Sequence, residues 1–182
     1  MFPVTLTGDR VRLREFGNDD VNDALTIVGD NRVTDWLSFD AKSLDETAAM
    51  IEGIIDRTSA SPRTEFYLAV TPVQDDRVVG FVRLGLAGVR AAKLGFAIAA
   101  DHWGKGYATD AARTLTDFGF RELGLHRISA AVGPENLASA VIVTKLGLRP
   151  EGRIRDHVFT NGQWRDSLLF SVLEHEWNRQ AT

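Results

Sequence analysis

Residues 94–109 read LGFAIAADHWGKGYAT, a short apolar run followed by two glycines that are separated by one residue. An amphipathic pattern starts directly after the second glycine. This order is typical of a strand, a tight turn and the N-terminus of a helix. Such a turn leaves backbone N–H groups free, and the helix dipole adds partial positive charge behind them. The stretch therefore predicts a binding site for a phosphate or a pyrophosphate.

Two well-known phosphate motifs do not match this glycine spacing. The Walker motif ends in Gly-Lys-Ser/Thr, whereas Lys105 lies between the two glycines here. The dinucleotide motif requires a third glycine at the position that Thr109 occupies. An ordinary tight turn has the same spacing, so on the glycines alone a plain turn and a phosphate site both stay open.

The composition indicates a globular protein of one domain, residues 1–182, with a net charge of −4. No basic surface for nucleic acid is expected from this charge, and no apolar run is long enough to cross a membrane. The first residues lack the apolar core of a signal peptide, so we expect a cytoplasmic protein. The chain has no cysteine, which excludes thiolate ligands, and we expect no metal.

Periodicity and turn signals predict seven strands and four helices in the order β-α-α-β-β-β-α-β-α-β-β. Ser43 and Glu46 form a capping box that opens a helix ending near Thr58. Asn161-Gly162 lies between two strand-like runs and predicts a hairpin. The expected strands cover residues 10–15, 65–71, 78–86, 93–99, 127–132, 153–160 and 163–172, and the helices 19–29, 43–58, 106–122 and 137–146.

Residues 94–109, with NLAS at 136–139 and KLGL at 145–148, resemble the GNAT superfamily of acetyl-CoA-dependent N-acetyltransferases. The most similar subgroup is the Rim-type ribosomal-protein N-terminal (alanine) acetyltransferases, whose first strand and last hairpin also match. The resemblance implies an α/β (α+β) GNAT fold with a mixed, mostly antiparallel seven-stranded sheet flanked by helices. It also implies acetyl-CoA as co-substrate and transfer of acetyl to a primary amine.

The resemblance also implies which residues bind the coenzyme. The family's pyrophosphate loop falls on residues 101–106, where Asp101 replaces the usual Gln or Arg and is expected to cap N–H groups or face solvent. The strand before the turn is expected to splay from the strand around Ala130 and Ala131, so that the pantetheine lies between them. The implied cofactor-binding residues are Phe96, Ala97, Ile98, Trp103, Gly104, Lys105, Gly106, Tyr107, Ala108, Thr109, Asn136, Ser139 and Lys145.

Most family members protonate the leaving thiolate with a tyrosine, and that position is Val143 here. In the Rim-like subgroup an Asn-x-x-Ser pattern replaces it, which assigns Asn136 to the pantetheine arm and Ser139 to the sulfur. Their spacing of three puts both at the start of one helix. On the residues alone, the alternative stays open that Asn136 is simply a helix cap and Ser139 a small packing residue.

The general base and the acceptor stay open. Glu65 is one base candidate, at the start of a central strand, and the others are Asp101, His102, Asp156, His157 and Asp166. An α-amino group has a pKa near 8 and a lysine amine near 10.4, which favours a protein N-terminal α-amine or a weakly basic small-molecule amine. Trp36, Phe39 and Trp164 either line the acceptor side or pack in the core, and Lys145 and Arg149 are candidates for the 3′-phosphate of CoA.

A second interpretation rests on two departures from the family pattern: Val143 replaces the usual tyrosine, and Lys93 lies where relatives often carry an acid. In that interpretation the chain is a non-catalytic CoA-binding domain that acts as a sensor or regulator. The resemblance also allows a homodimer.

Overall fold

The computed structural model describes residues 3–178, which form one sheet of eight strands in the order β1-β2-β3-β4-β5-β6-β8-β7. All neighbouring strands are antiparallel except β5 and β6. The expected mixed, mostly antiparallel sheet is therefore confirmed. The strands are β1 (Thr5–Thr7), β2 (Val11–Arg14), β3 (Glu65–Pro72), β4 (Gly80–Leu86), β5 (Ala91–Ile98), β6 (Arg127–Val132), β7 (Arg149–Thr160) and β8 (Gln163–Leu173).

The predicted strand count of seven is wrong, because Thr5–Thr7 forms an additional strand paired with β2. Three residues are too few to show an alternation in the sequence. The turn between β1 and β2 is stabilised from far away: the carboxylate of Asp110 accepts hydrogen bonds from the N–H groups of Asp9, Arg10 and Val11, at 3.3, 2.8 and 3.0 Å. A contact across about 100 residues has no local sequence signal.

The four predicted helices are confirmed with small shifts at their ends. Ser43 and Glu46 form the expected capping box. Two short helices, Asn31–Thr34 and Glu174–Asn178, were not predicted, because four or five residues give no helical period. The helices are α1 (Val21–Val28), α2 (Asn31–Thr34), α3 (Leu44–Thr58), α4 (Tyr107–Arg121), α5 (Leu137–Lys145) and α6 (Glu174–Asn178), and short 3₁₀ turns cover Asn18–Asp20 and Ala100–His102.

Two apolar layers cover the two faces of the sheet. On one face, Leu115 and Phe118 of α4 pack with strand residues such as Leu84. On the other face, Ile51 and Ile54 of α3 pack with residues of α1 and of the central strands. Because side chains alternate along a strand, each central strand contributes to both layers.

The last two strands form the predicted hairpin. Asn161 and Gly162 have φ angles of +50° and +73°, as a two-residue turn with two left-handed residues requires. Strand β7 begins at Arg149, four residues before the predicted start, and includes Pro150. Pro is tolerated there because β7 is the edge strand.

Candidate active site

The two parallel strands of the sheet separate soon after they meet. Residues 91–93 of β5 pair with residues 127–129 of β6, and the pairing ends at Lys93 and Ser129. Beyond this point β5 continues beside β4, and β6 continues beside β8. A gap therefore opens between residues 94–98 of β5 and residues 130–132 of β6, where the family resemblance implies that the strands splay.

Hydrogen-bond alternation identifies the main-chain groups that face this gap. The N–H of Ala99 donates to the carbonyl of Val79 in the β4 direction, and antiparallel pairs alternate in their bonding. The N–H groups of Ala97 and Gly95 accordingly point toward β4, and those of Phe96 and Ile98 point into the gap. Phe96 and Ile98 are thus better placed than Ala97 to donate to a group lying there.

The 3₁₀ turn at Ala100–His102 connects β5 to the glycine turn. Gly104 and Gly106 have φ angles of +76° and +79°, a region that side chains with a Cβ rarely adopt. Gly106 is the N-cap of α4 and has no side chain to bond the first N–H groups of the helix. The indole of Trp103 is half exposed and its Nε1 donates to the carbonyl of Ile98 at 2.7 Å, which ties the turn to the end of β5.

The start of α5 lies at the same edge of the sheet as this turn. Strands β5 and β6 are parallel, so their carboxyl ends meet at one edge, and α5 begins five residues after β6 ends. The side chain of Asn136 accepts from the N–H of Ser139 at 3.0 Å, so Asn136 is a helix cap. The Ser139 hydroxyl is half-buried and donates to no group within residues 3–178.

A cleft of about 360 Å³ opens beside the glycine turn. Four basic side chains line it, and none of them forms an ion pair in the described part of the chain: Arg10, Lys105, Arg113 and Lys145. The two acidic residues in the lining are Asp9 and Asp110, and the carboxylate of Asp110 is occupied by three backbone N–H groups. The cleft is therefore strongly positive in a protein whose net charge is negative.

Sequence reasoning missed Arg10 and Arg113. Arg113 lies four residues after Thr109, so the helical period places both on the same side of α4. Arg10 had no such signal, because the turn that presents it depends on Asp110. Arg149, expected near the phosphates, instead pairs with Glu176 at 2.8 Å.

Comparison with known proteins identifies this arrangement. The family model "Acetyltransferase (GNAT) domain" matches residues 10–149. The chain belongs to the GNAT acetyltransferase family. The uncharacterized N-acetyltransferase p20 of Bacillus licheniformis is 30% identical over 95% of this chain and 98% of its own length.

Two further relatives fit the expected Rim-type likeness of this GNAT chain. The [ribosomal protein uS5]-alanine N-acetyltransferase of Escherichia coli is 28% identical over 62% of this chain and 59% of its own length. The solved structure of Mycobacterium smegmatis RimJ in complex with CoA-disulfide superposes with a TM-score of 0.83, at 22% identity, over 99% of this chain and 96% of that chain. At that identity the superposition shows a shared fold.

The face of the GNAT sheet that carries α1–α3 holds Glu65 in a pair of ion contacts. One carboxylate oxygen accepts from Arg57 Nε at 2.9 Å, and the other accepts from Arg83 Nε. Burial alone raises the pKa of the Glu65 carboxyl, but the bonds and charges of Arg83 and Arg57 outweigh it and hold the pKa below its ordinary value. A carboxylate held in this way is a poor proton acceptor, which argues against Glu65 as the general base.

Two base candidates on the β7–β8 hairpin, Asp166 and His157, are also engaged. Asp166 accepts from the N–H of Asp156 and from Arg153, which lowers its pKa. Nδ1 of His157 lies 2.9 Å from the hydroxyl of buried Ser167. These contacts are structural ties of the β7–β8 hairpin.

The two candidates near the glycine turn differ from each other. Asp101 is 79% exposed and pairs with Arg32 at 3.2 Å, so it faces solvent as expected. Burial and the positive charge of Lys105 lower the pKa of His102, which keeps its ring neutral near pH 7. Its Nδ1 lies 3.3 Å from Lys105 Nζ.

Of the three aromatic candidates for the acceptor side, Trp36 and Phe39 lie in the loop between α2 and α3, and Trp164 lies on β8. Trp36 and Trp164 are exposed, and Trp164 stacks edge-on against Phe159 with 5.2 Å between ring centroids. Phe39 packs against the α1–α3 layer. The guanidinium of Arg165 donates to the carbonyls of Asp35 and Leu37, which fixes this loop on β8.

Residues 3–178 contain no group of three or more His, Asp or Glu side chains arranged to hold a metal ion. Of the helices in that range, none combines the length and apolar character that a membrane span requires.

Proposed function

We propose that the protein transfers an acetyl group directly from acetyl-CoA to a primary amine. One observation carries the proposal: β5 separates from β6 after Lys93, and the end of β5 leads to a glycine turn that opens a helix, with a positive cleft at its side. The gap fits an extended arm, and the turn and cleft fit its phosphates. When bound, acetyl-CoA supplies an acetyl group that is activated as a thioester.

In the proposed complex the free edge of β5 orients the thioester. The N–H groups of Phe96 and Ile98 face the gap and are available to the acetyl carbonyl oxygen and to the amides of the arm. A main-chain donor held rigidly by a sheet stabilises negative charge on that oxygen without reorganising, which is an efficient form of catalysis.

The phosphates are proposed to lie on the N-terminus of α4 and in the cleft beside it. The N–H groups of residues 104–109 supply donors, and Arg10, Lys105, Arg113 and Lys145 supply charge. Glycine at position 104 lets the backbone approach the phosphate closely, since a Cβ there is unfavourable at the observed φ.

Ser139 is proposed to donate a hydrogen bond from its hydroxyl to the departing sulfur and so to stabilise the thiolate. The hydroxyl has no partner among the described groups, so it is available for this bond. Asn136 orients Ser139 by capping the same turn, and its amide nitrogen is proposed to contact the pantetheine arm. A thiol titrates at about 8.5, so a weak donor suffices to stabilise the thiolate.

The attacking amine has to be neutral. An α-amine with a pKa near 8 is partly neutral at pH 7, and water in the cleft is sufficient to take its proton. This favours an α-amine, of a protein or of a small molecule, over a lysine side chain.

The test mixes the purified protein with acetyl-CoA and a panel of primary amines and follows the release of free thiol. Turnover above the rate of thioester hydrolysis with at least one amine is expected. If CoA binds in a calorimetric titration and no amine gives turnover, the protein is a CoA-binding sensor and not an enzyme. If CoA does not bind, both functions are excluded.

Three further expectations stay predictions: a single domain over residues 1–182, a cytoplasmic location and a homodimer. Residues 1–2 and 179–182 lie outside the described residues. Sedimentation of the purified chain measures its oligomeric state directly.

A further inference from the structure

The α1–α3 face of the sheet carries two rows of cross-strand neighbours beside the gap. Glu65, Gly85 and Lys93 form one row, and Tyr67, Arg83 and Gly95 form the next. Lys93 is the last residue of β5 that pairs with β6. The phosphates are proposed to lie at α4, on the other face of the sheet, so we expect the acceptor to approach the thioester from the α1–α3 face, beside these rows.

The charges in these rows are unbalanced. Glu65 is the one acid, and it holds two arginines, Arg83 from the same face and Arg57 from the last turn of α3. Lys93 is exposed and adds a third cation. Near the gap the local charge is therefore positive, opposite in sign to the net charge of the whole chain.

The two guanidiniums keep most of their donors free. Each arginine bonds Glu65 through Nε, and within residues 3–178 no Nη group of Arg57 or Arg83 donates a hydrogen bond. The side chains of Arg83 and Arg57 are 40% and 53% exposed, whereas that of Glu65 is 15% exposed. The Glu65 carboxylate is thus covered, and the Nη groups of its two arginine partners are exposed and available to donate hydrogen bonds.

The space beside the guanidiniums is open. A Cβ built at Gly95, directly opposite Arg83, meets no atom within 4 Å. At Gly85 a Cβ would lie 2.8 Å from Arg83 Nη2, so the absence of a side chain there lets Arg83 lie across the strand to reach Glu65. A planar fork of N–H donors next to open space matches the geometry of a carboxylate.

We infer that Arg57 and Arg83, held by Glu65, recognise a carboxylate on the amine acceptor. The inference rests on the proposed function, because it requires an acceptor amine beside the thioester on this face. The acceptor class is then an amine that also carries an acid, and a polyamine such as spermidine is disfavoured by the three cations. The acid comes either from a free amino acid or from an acidic first residue of a peptide.

The experiment compares acceptors in matched pairs. In the first pair, an amino acid is compared with its carboxamide. In the second pair, a peptide amide that begins with Asp is compared with the same peptide amide beginning with Asn. Spermidine serves as the cationic amine. Binding is measured by calorimetry with and without CoA, and initial rates are measured with acetyl-CoA. We expect the acid of at least one pair to bind at least tenfold more tightly than its neutral partner, and the pair that responds identifies the source of the acid.

Two variants and one control test the assignment to these arginines. Arg57→Gln and Arg83→Gln are each expected to raise KM for the acid about tenfold or more, since a charged hydrogen bond is lost, and to leave KM for acetyl-CoA within twofold. Each variant leaves one arginine on Glu65, and thermal melting verifies folding. Arg121→Gln, at the end of α4 on the opposite face, is the matched control and should change neither KM.

The outcomes separate the two proposals. Equal or tighter binding of the neutral partners or of spermidine overturns the carboxylate site, and so does the absence of binding by any acid to a protein that binds CoA. Binding of an acid by a protein that does not bind CoA refutes the proposed function alone.

Discussion

Replacing Asp110 by alanine tests whether a single carboxylate on α4 holds the β1–β2 turn and, through it, Arg10. Asp110 is buried in the first turn of α4, and its carboxylate accepts from the consecutive N–H groups of Asp9, Arg10 and Val11 in the β1–β2 turn. The N–H of Val11 is buried, and those of Asp9 and Arg10 are partly buried. Asp110→Ala leaves all three without their acceptor.

The expected cost follows from the burial of each donor. Leaving the buried N–H of Val11 without an acceptor lowers the free energy of unfolding by about 1–3 kcal/mol. Water can reach the other two N–H groups, so each of them lowers it by about 0.5–1.5 kcal/mol. The longest bond, at 3.3 Å from Asp9, contributes least. The variant should be destabilised by about 2–5 kcal/mol, which corresponds to about 4–20 °C in Tm for a domain of this size.

A functional loss should accompany the loss of stability. Arg10 lines the cleft beside Gly106, where a Cβ built on Gly106 would lie 3.4 Å from Arg10 Cδ. If the β1–β2 turn becomes mobile, the Arg10 guanidinium no longer stays in the cleft. The Kd for CoA should then rise about tenfold, because one charged hydrogen bond is lost.

Urea unfolding and calorimetric titration with CoA measure the two effects at 25 °C. The control is Asp101→Asn, an exposed carboxylate whose ion pair with Arg32 contributes little. An unfolding midpoint for Asp110→Ala equal to that of the control would refute the capping role. An unchanged Kd for CoA in a destabilised variant would show that Arg10 does not contact the coenzyme.

Three other substitutions test separate parts of the site and fold. Ser139→Ala should lower kcat at least tenfold and leave acetyl-CoA affinity unchanged, and unaltered turnover removes Ser139 from the mechanism. Gly104→Val should weaken CoA binding, because φ is +76° there; equal affinity contradicts the loop assignment. Glu151→Gln should lower stability at pH 7 but not near pH 2. Hydrogen bonds from Arg127 and Ser171 lower the pKa of Glu151 to about 2, so the stability that the carboxylate contributes is lost as the pH falls below 4.5. A difference between the urea midpoints of variant and wild type that stays constant across this range would refute it.

Features that depend on neighbours within four residues were predicted correctly. The capping box of Ser43 and Glu46, the turn at Asn161-Gly162 and the glycine turn before α4 all appear as expected. Their geometry is set by backbone dihedrals and local hydrogen bonds, so the residue types are sufficient to specify them.

Side-chain roles that depend on distant partners were not predicted. Glu65 was a candidate base on its residue type and position, but the ion pairs with Arg57 and Arg83 give it a lowered pKa. Arg57 comes from a helix and Arg83 from a neighbouring strand, and no spacing in the sequence indicates that they meet on one carboxylate.

The amino-acid sequence by itself determined seven of the eight strands and four of the six helices of the described residues, the glycine turn and the family, because these follow from short-range periodicity and from motifs that keep their order. Only the tertiary structure decided where β5 leaves β6, which cations surround the cleft and which carboxylates are already bound. Those properties arise when helices and strands far apart in the chain pack together, and burial and charge at each side chain are set by that packing.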